Sequence, residues 1–141
     1  MEIERQVCSL ESAKKLKELG VKQESLFWWA QRKQVVIRHP PKEPTYYEPD
    51  LFMDISESGL KVIASAYTVA ELLYMLPDYI KNRGNMLTLV KSDSGEWWVN
   101  YPNHGGEGLC GLPEFVDISV CEALAKCLIY LTTNGLLKGE A

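Results

Sequence analysis

The sequence predicts an α+β fold: a mostly antiparallel sheet of about four to five strands with three helices, in the order α-β-β-β-α-β-β-α. Three observations carry that expectation. Helix-start signals at Ser9, Thr68 and Ser119 each precede apolar residues at helical spacing. Between them stand short runs rich in aromatic and β-branched residues, several separated by turn-forming clusters, so hairpins dominate over crossovers. The length of 141 residues, with 46% hydrophobic and 24% charged composition, suits one globular domain spanning residues 1–141.

Taken in order, Ser9 caps the first helix. Its stripe is Leu10, Ala13, Leu16 and Leu19, and Gly20 closes it because glycine enters the left-handed region freely. Lys14, Lys15, Lys17 and Glu18 fill its wet side. Residues 26–30 and 35–38 then read as two strands of a hairpin around the polar Gln31-Arg32-Lys33-Gln34. Residues 40–49 hold four of the seven prolines, which forbids a central strand there and favours extended coil. Pro41-Lys42-Glu43-Pro44 has the P-x-x-P spacing of polyproline ligands, but a surface connector is the favoured account of so short a match.

A third strand, residues 60–64, follows a Ser58-Gly59 turn. Thr68-Val69-Ala70-Glu71 is a capping box, and Val69, Leu72, Leu73 and Leu76 form the expected buried stripe before Pro77 stops the helix. Residues 86–90 and 96–101 flank Ser92-Asp93-Ser94-Gly95, the clearest hairpin signal in the chain. Residues 102–114 read as irregular. Ser119-Val120-Cys121-Glu122 is a second capping box; its helix runs through Leu124, Leu128 and Leu131 and stops at Asn134-Gly135.

Charge and cysteine usage narrow the function. A net charge of −4 argues against a protein built mainly to grip nucleic-acid phosphates. The charge is uneven: residues 1–45 carry nine basic against six acidic side chains, and residues 46–141 six against thirteen. Ordinary solvated surface is the first account of this; the sharper one is a basic patch of Lys14, Lys15, Lys17, Lys22, Arg32 and Lys33 for an anionic partner or, as a lesser alternative, nucleic acid. No apolar run approaches the length of about 20 residues needed to span a bilayer, so no membrane association is expected. Cysteines at 8, 110, 121 and 127 lack C-x-x-C spacing, which argues against a zinc site or redox motif. Cys121 and Cys127 stand about 240° apart around a helix and would not share a face. With no signal-peptide pattern at residues 1–5, the expected setting is a reduced cytoplasm.

Three constellations bear on chemistry. Gly106-Glu107-Gly108-Leu109-Cys110-Gly111 matches G-x-G-x-x-G, but Pro113 follows it and no helix begins before Ser119, so no dinucleotide or other cofactor is expected. His104 and Cys110, six residues apart in the same loop, could pair as base and thiol nucleophile of a small hydrolase or transferase. A surface histidine and a packed thiol explain them better, so an enzymatic role is not the first reading. Trp28-Trp29 and Trp97-Trp98 are the most informative feature. Each pair lies inside an expected strand, where consecutive side chains point to opposite faces. One indole of each pair faces the core; the other is buried too where helices cover both faces, the favoured account, and otherwise forms, with Tyr101 or Phe27, an aromatic binding patch.

Three segments resemble those of small proteins that recur in bacterial phage and prophage gene sets. They are Cys8-Ser9-Leu10-Glu11-Ser12-Ala13-Lys14-Lys15-Leu16 with Gly20-Val21 and Gln23-Glu24-Ser25; Tyr67-Thr68-Val69-Ala70-Glu71-Leu72 with Met75-Leu76-Pro77; and Ala123-Leu124-Ala125-Lys126-Cys127-Leu128-Ile129-Tyr130-Leu131. No activity, cofactor or catalytic residue comes with that group. The resemblance implies a bacterial or phage cytoplasmic setting. The expectation is therefore an accessory protein that binds another protein or itself through Trp28, Trp29, Trp97, Trp98 and Tyr101, without metal or cofactor.

Overall fold

The structure is a computed structural model that describes residues 6–35, 38–39, 42–80, 85–101 and 112–137. Three helices, α1 (Leu10–Glu18), α2 (Val69–Met75) and α3 (Val120–Thr133), combine with eight strands. The strands are β1 (Phe27–Arg32), β2 (Asp50–Phe52), β3 (Leu60–Ala66), β4 (Tyr79–Ile80), β5 (Asn85–Met86), β6 (Thr88–Lys91), β7 (Trp97–Asn100) and β8 (Phe115–Asp117). They form two three-stranded sheets, β2-β1-β3 and β6-β7-β8, and the small pair β4-β5, every pairing antiparallel. The α+β class holds. The strands outnumber the expected four to five, and the order becomes α-β-β-β-α-β-β-β-β-β-α.

Helices α1 and α3 lie between the two larger sheets. On one side α1 packs against β3; on the other α3 packs against β7 and β8, and α3 also touches α1 and α2. Helix α3 is consequently apolar nearly all round, the pattern of a buried helix. Cys121, Ala123, Leu124, Ala125, Cys127, Leu128 and Leu131 are all buried in it. Cys121 and Cys127 leave the helix in different directions, and both directions are covered.

The local signals account for the helix ends. Ser9 Oγ accepts from Ser12 N at 3.2 Å, and α1 closes as a Schellman motif, with Gly20 N donating to Lys17 O and Val21 N to Leu16 O. Gly20 sits at φ +84°, where a side chain would be strained. At α2 the full capping box forms, Thr68 Oγ1 accepting from Glu71 N while Glu71 Oε1 accepts from Thr68 N. Leu76 is extended before Pro77, as the residue before proline must be. The α2 stripe needs one correction. Leu72 and Leu76 are buried, but Leu73 is 36% exposed: it flanks the Val69–Leu76 line on the side opposite Leu72, and only the Leu72 side joins the core cluster.

The capping box expected at α3 is only half made. Ser119 Oγ accepts from Glu122 N at 3.3 Å, but Ser119 N donates to Asp117 Oδ1 instead of to Glu122. The freed carboxylate crosses to the start of α1, accepting Ser9 N at 2.5 Å on Oε1 and Ser12 Oγ at 2.9 Å on Oε2. A group read as local chemistry is the polar clamp between two helices.

The hairpin expected at residues 26–38 is absent. β1 runs on through Gln31-Arg32, which had been read as the loop, and neither Val35 nor Arg38 lies in a strand; Val36 and Ile37 fall outside the described residues. β1 pairs instead with β2 on one side and β3 on the other, Trp28 facing Phe52 and Trp29 facing both Leu51 and Ala64. An apolar partner beyond the proline-rich segment displaces the nearer run. That segment returns as an isolated Lys33–Tyr46 bridge, in keeping with extended coil. The hairpin of β6 and β7 forms around the expected turn, with Gly95 at φ +86° and Ser92 N donating to Glu96 O. Met86 belongs to β5 and faces Tyr79 across that pair, so the strand expected at residues 86–90 is divided.

Candidate binding face

Strand alternation in β6-β7-β8 sorts its side chains cleanly. On the α3 side stand Leu89, Val99 and Phe115, directly opposite one another, with Trp97 alongside. Val99 is fully buried, and the Phe115 ring meets Tyr130 of α3 at 5.5 Å. The other face carries Val90, Trp98 and Val116, again in direct cross-strand register. Trp98 is 38% exposed and Val90 52%. Ile118, one step past β8 and of the same parity as Val116, is 79% exposed. Three apolar side chains therefore cross three strands in one row, with Ile118 two residues beyond Val116, a patch on the order of a few hundred Å².

The edges of this sheet are polar. Lys91 Nζ lies 5.6 Å from the Trp97 ring, and Asn100 Nδ2 donates to Glu114 Oε1. Lys126 of α3 reaches the β8 edge, donating to Val116 O and pairing with Asp117 at 2.8 Å. A lysine on an edge discourages strand addition, so the sheet offers its face for contact and guards that edge.

The residues expected in the binding patch separate. Trp29 and Trp97 pack against the core, and Trp29 Nε1 donates to Cys8 O at 3.0 Å. Trp28 and Trp98 stand on the opposite faces of their strands, Trp28 half-buried beside Phe52. Because the two outer indoles belong to different sheets, they do not form one patch. Tyr101 is a correction: it is 1% exposed, and its hydroxyl donates to Pro77 O at 2.7 Å. Phe27 is half-buried against Ala66. Tyr101→Phe is expected to cost about 1 kcal/mol, the net worth of one buried hydrogen bond, measurable by urea unfolding.

The sequence reading missed Val90, Val116 and Ile118. Val90 was recoverable, since the β6–β7 turn sets it opposite Trp98. Val116 and Ile118 were not, because β8 is three residues long and carries no turn signal of its own.

The basic residues do not gather either. Lys14 and Lys15 line a groove between α1 and α3, Lys22 pairs with Glu24 at 3.2 Å, Lys17 donates to Ile63 O, and Arg32 and Lys33 line a separate cleft at the end of β1. No single cationic track results from these six.

His104 and Cys110 lie outside the described residues. The other three cysteines are buried and free, and burial pushes each thiol from the ordinary 9.0 up to about 12. At Cys8 and Cys121 the Glu122 carboxylate adds to the rise. Such thiols stay protonated and packed, the reverse of a nucleophile. Cys8, Cys121 and Cys127 are expected to resist iodoacetamide at pH 8.5 in the native protein and to react fully in denaturant. Their raised values also set an alkaline limit. Stability contributed by the protonated thiols is complete below pH 9.0, where the unfolded chain also keeps its protons, and is lost as pH rises toward about 12. Urea midpoints should therefore fall steadily above pH 9.

Among the described residues no group of three or more His, Cys, Asp or Glu side chains could hold a metal ion, and no helix is long and apolar enough to cross a membrane. No protein-family model, no curated protein and no solved structure matches the chain.

Proposed function

We propose that this chain is a non-catalytic accessory protein that works by docking another protein, or a second copy of itself, on the outer face of β6-β7-β8. The observation that carries the reading is the row Val90–Trp98–Val116, in register across three strands and continued by Ile118. Tryptophan is enriched among the residues that dominate binding energy, and a row of flanking aliphatics supplies the water-excluding ring around it. A patch of this size suits a transient contact more than an obligate dimer, which buries several times as much. A phage or prophage role in the bacterial cytoplasm is part of the proposal and rests on the sequence resemblance.

A photo-crosslinking residue placed at Ile118 tests it in the native host. One discrete adduct from Ile118, with none from Tyr74, supports the reading; Tyr74 is a fair control because it is 91% exposed and lies on α2. The adduct's mass tells a second copy from another protein. No adduct at Ile118, or the same adducts from both positions, contradicts it.

A further inference from the structure

Three of the clefts formed by the described residues bear charged side chains, and their balance differs. The groove between α1 and α3 sets Lys14, Lys15 and Lys126 against Glu11, Glu18 and Glu122, leaving no surplus. The cleft beside α2 sets Lys22 against Glu24 and Glu71. Only the third, at the end of β1, has more cations than anions. It has a volume of about 590 Å³, within the range of small-molecule sites, and Arg32, Lys33 and Lys42 line it against Glu57 alone.

Its walls are tied together. Gln34 N donates to Thr45 O at 2.8 Å, Lys33 N to Gly59 O at 3.2 Å and Tyr47 N to Arg32 O at 2.8 Å. The end of β1, the 42–45 segment and the 57–59 turn are thus held together before any ligand arrives. Arg32 is already engaged, paired with Glu57 at 3.3 Å and 5.4 Å from the Phe52 ring centre. Lys33 and Lys42 have no carboxylate partner among the described residues. In a chain of net charge −4, two unpaired ammonium groups beside a guanidinium are a concentration of charge against the average.

We propose that this cleft binds a small polyphosphate ester, of the class of a nucleoside diphosphate, with Lys33 and Lys42 gripping the phosphates. With Arg32 held by Glu57, the two remaining cations match two phosphate charges, and ammonium groups bind phosphate as point charges. Pro44 and Val35 line the same cleft, and Val35 is 86% exposed, so an organic ring would cover apolar surface beside the phosphates. A nucleic-acid strand fits less well, because it needs cations spaced along many phosphates, and Lys14, Lys15, Lys126 and Lys22 lie in clefts whose carboxylates equal or outnumber them.

Calorimetric titration at low salt with ADP, pyrophosphate and adenosine tests this on the full chain. ADP and pyrophosphate should bind saturably, with Kd between micromolar and low millimolar, and adenosine should not. The ADP-induced amide shifts in a heteronuclear NMR spectrum should centre on Lys33, Lys42, Thr45 and Ser58. Lys33→Gln with Lys42→Gln should weaken ADP about 100-fold, roughly tenfold for each charge-assisted contact. Lys14→Gln with Lys15→Gln removes the same charge and should leave the affinity unchanged. Absence of saturable binding by the wild-type chain, equal losses in the two double variants, or shifts centred elsewhere would each overturn the proposal.

Discussion

Leu128→Ala is expected to lower the unfolding free energy by about 3–5 kcal/mol, the cost of removing a buried leucine and leaving a cavity. Leu128 lies on α3, 1% exposed, in the one cluster that draws on all three helices and on β3, β4 and β7. Neighbours on several elements cannot collapse into the space together, so the cost belongs at the upper end of the range. Domains of this kind have only about 5–15 kcal/mol in total, and the variant would lose a large part of it. Leu73→Ala on the outer side of α2 should cost under about 1 kcal/mol, since that side chain is already partly in water. Urea unfolding of the two leucine variants checks the assignment of faces without reference to function. Equal costs would place α3 wrongly.

Glu122→Ala is expected to cost about 2–3 kcal/mol, because it leaves Ser9 N and Ser12 Oγ without their acceptor in a largely buried setting. Ser12 is buried and cannot turn to water without opening the joint between α1 and α3. The carboxylate also lies at the N-terminal ends of two helices, where their dipoles favour negative charge. Glu122→Gln keeps one acceptor oxygen, and its amide can donate to the Ser12 hydroxyl, so about 1 kcal/mol is the expected loss. A thermal midpoint that falls in the order wild type, Gln, Ala is the pattern to look for. Equal midpoints for Ala and wild type would mean the clamp contributes nothing.

What could be read from the sequence was local. Ser9, Thr68 and Ser119 cap helices because a hydroxyl two or three residues from an orphan N–H needs no tertiary partner. The Ser92–Gly95 turn is likewise set by its own backbone. The pairing of β1 with β2 was not legible, because Phe52 and Leu51 come from beyond a proline-rich segment and win on apolar match to Trp28 and Trp29, not on proximity. Strands of two or three residues, such as β4, β5 and β8, exist only because a neighbour pairs with them. Glu122 was misplaced because its local pattern offers a complete capping box, and only the approach of α1 presents a better use.

The candidate face shows the same division. Alternation alone separates Trp97 from Trp98 and Trp28 from Trp29. It also puts Tyr101 on the side of Val99 and Trp97, so its burial followed from the same period of two. Which sheet leaves its outer indole in water depends on where the helices lie, and no local signal carries that.

The most direct measurement combines the face with its tryptophan: the Ile118 crosslink repeated in a Trp98→Glu background. Trp98 stands outside the core, so the variant should lose only its cross-strand contacts with Val90 and Val116, about 1–2 kcal/mol, and still fold. A carboxylate in the middle of the apolar row should abolish the adduct. An adduct that survives the substitution, or a variant that fails to fold, would contradict the reading of this face as the protein's working surface.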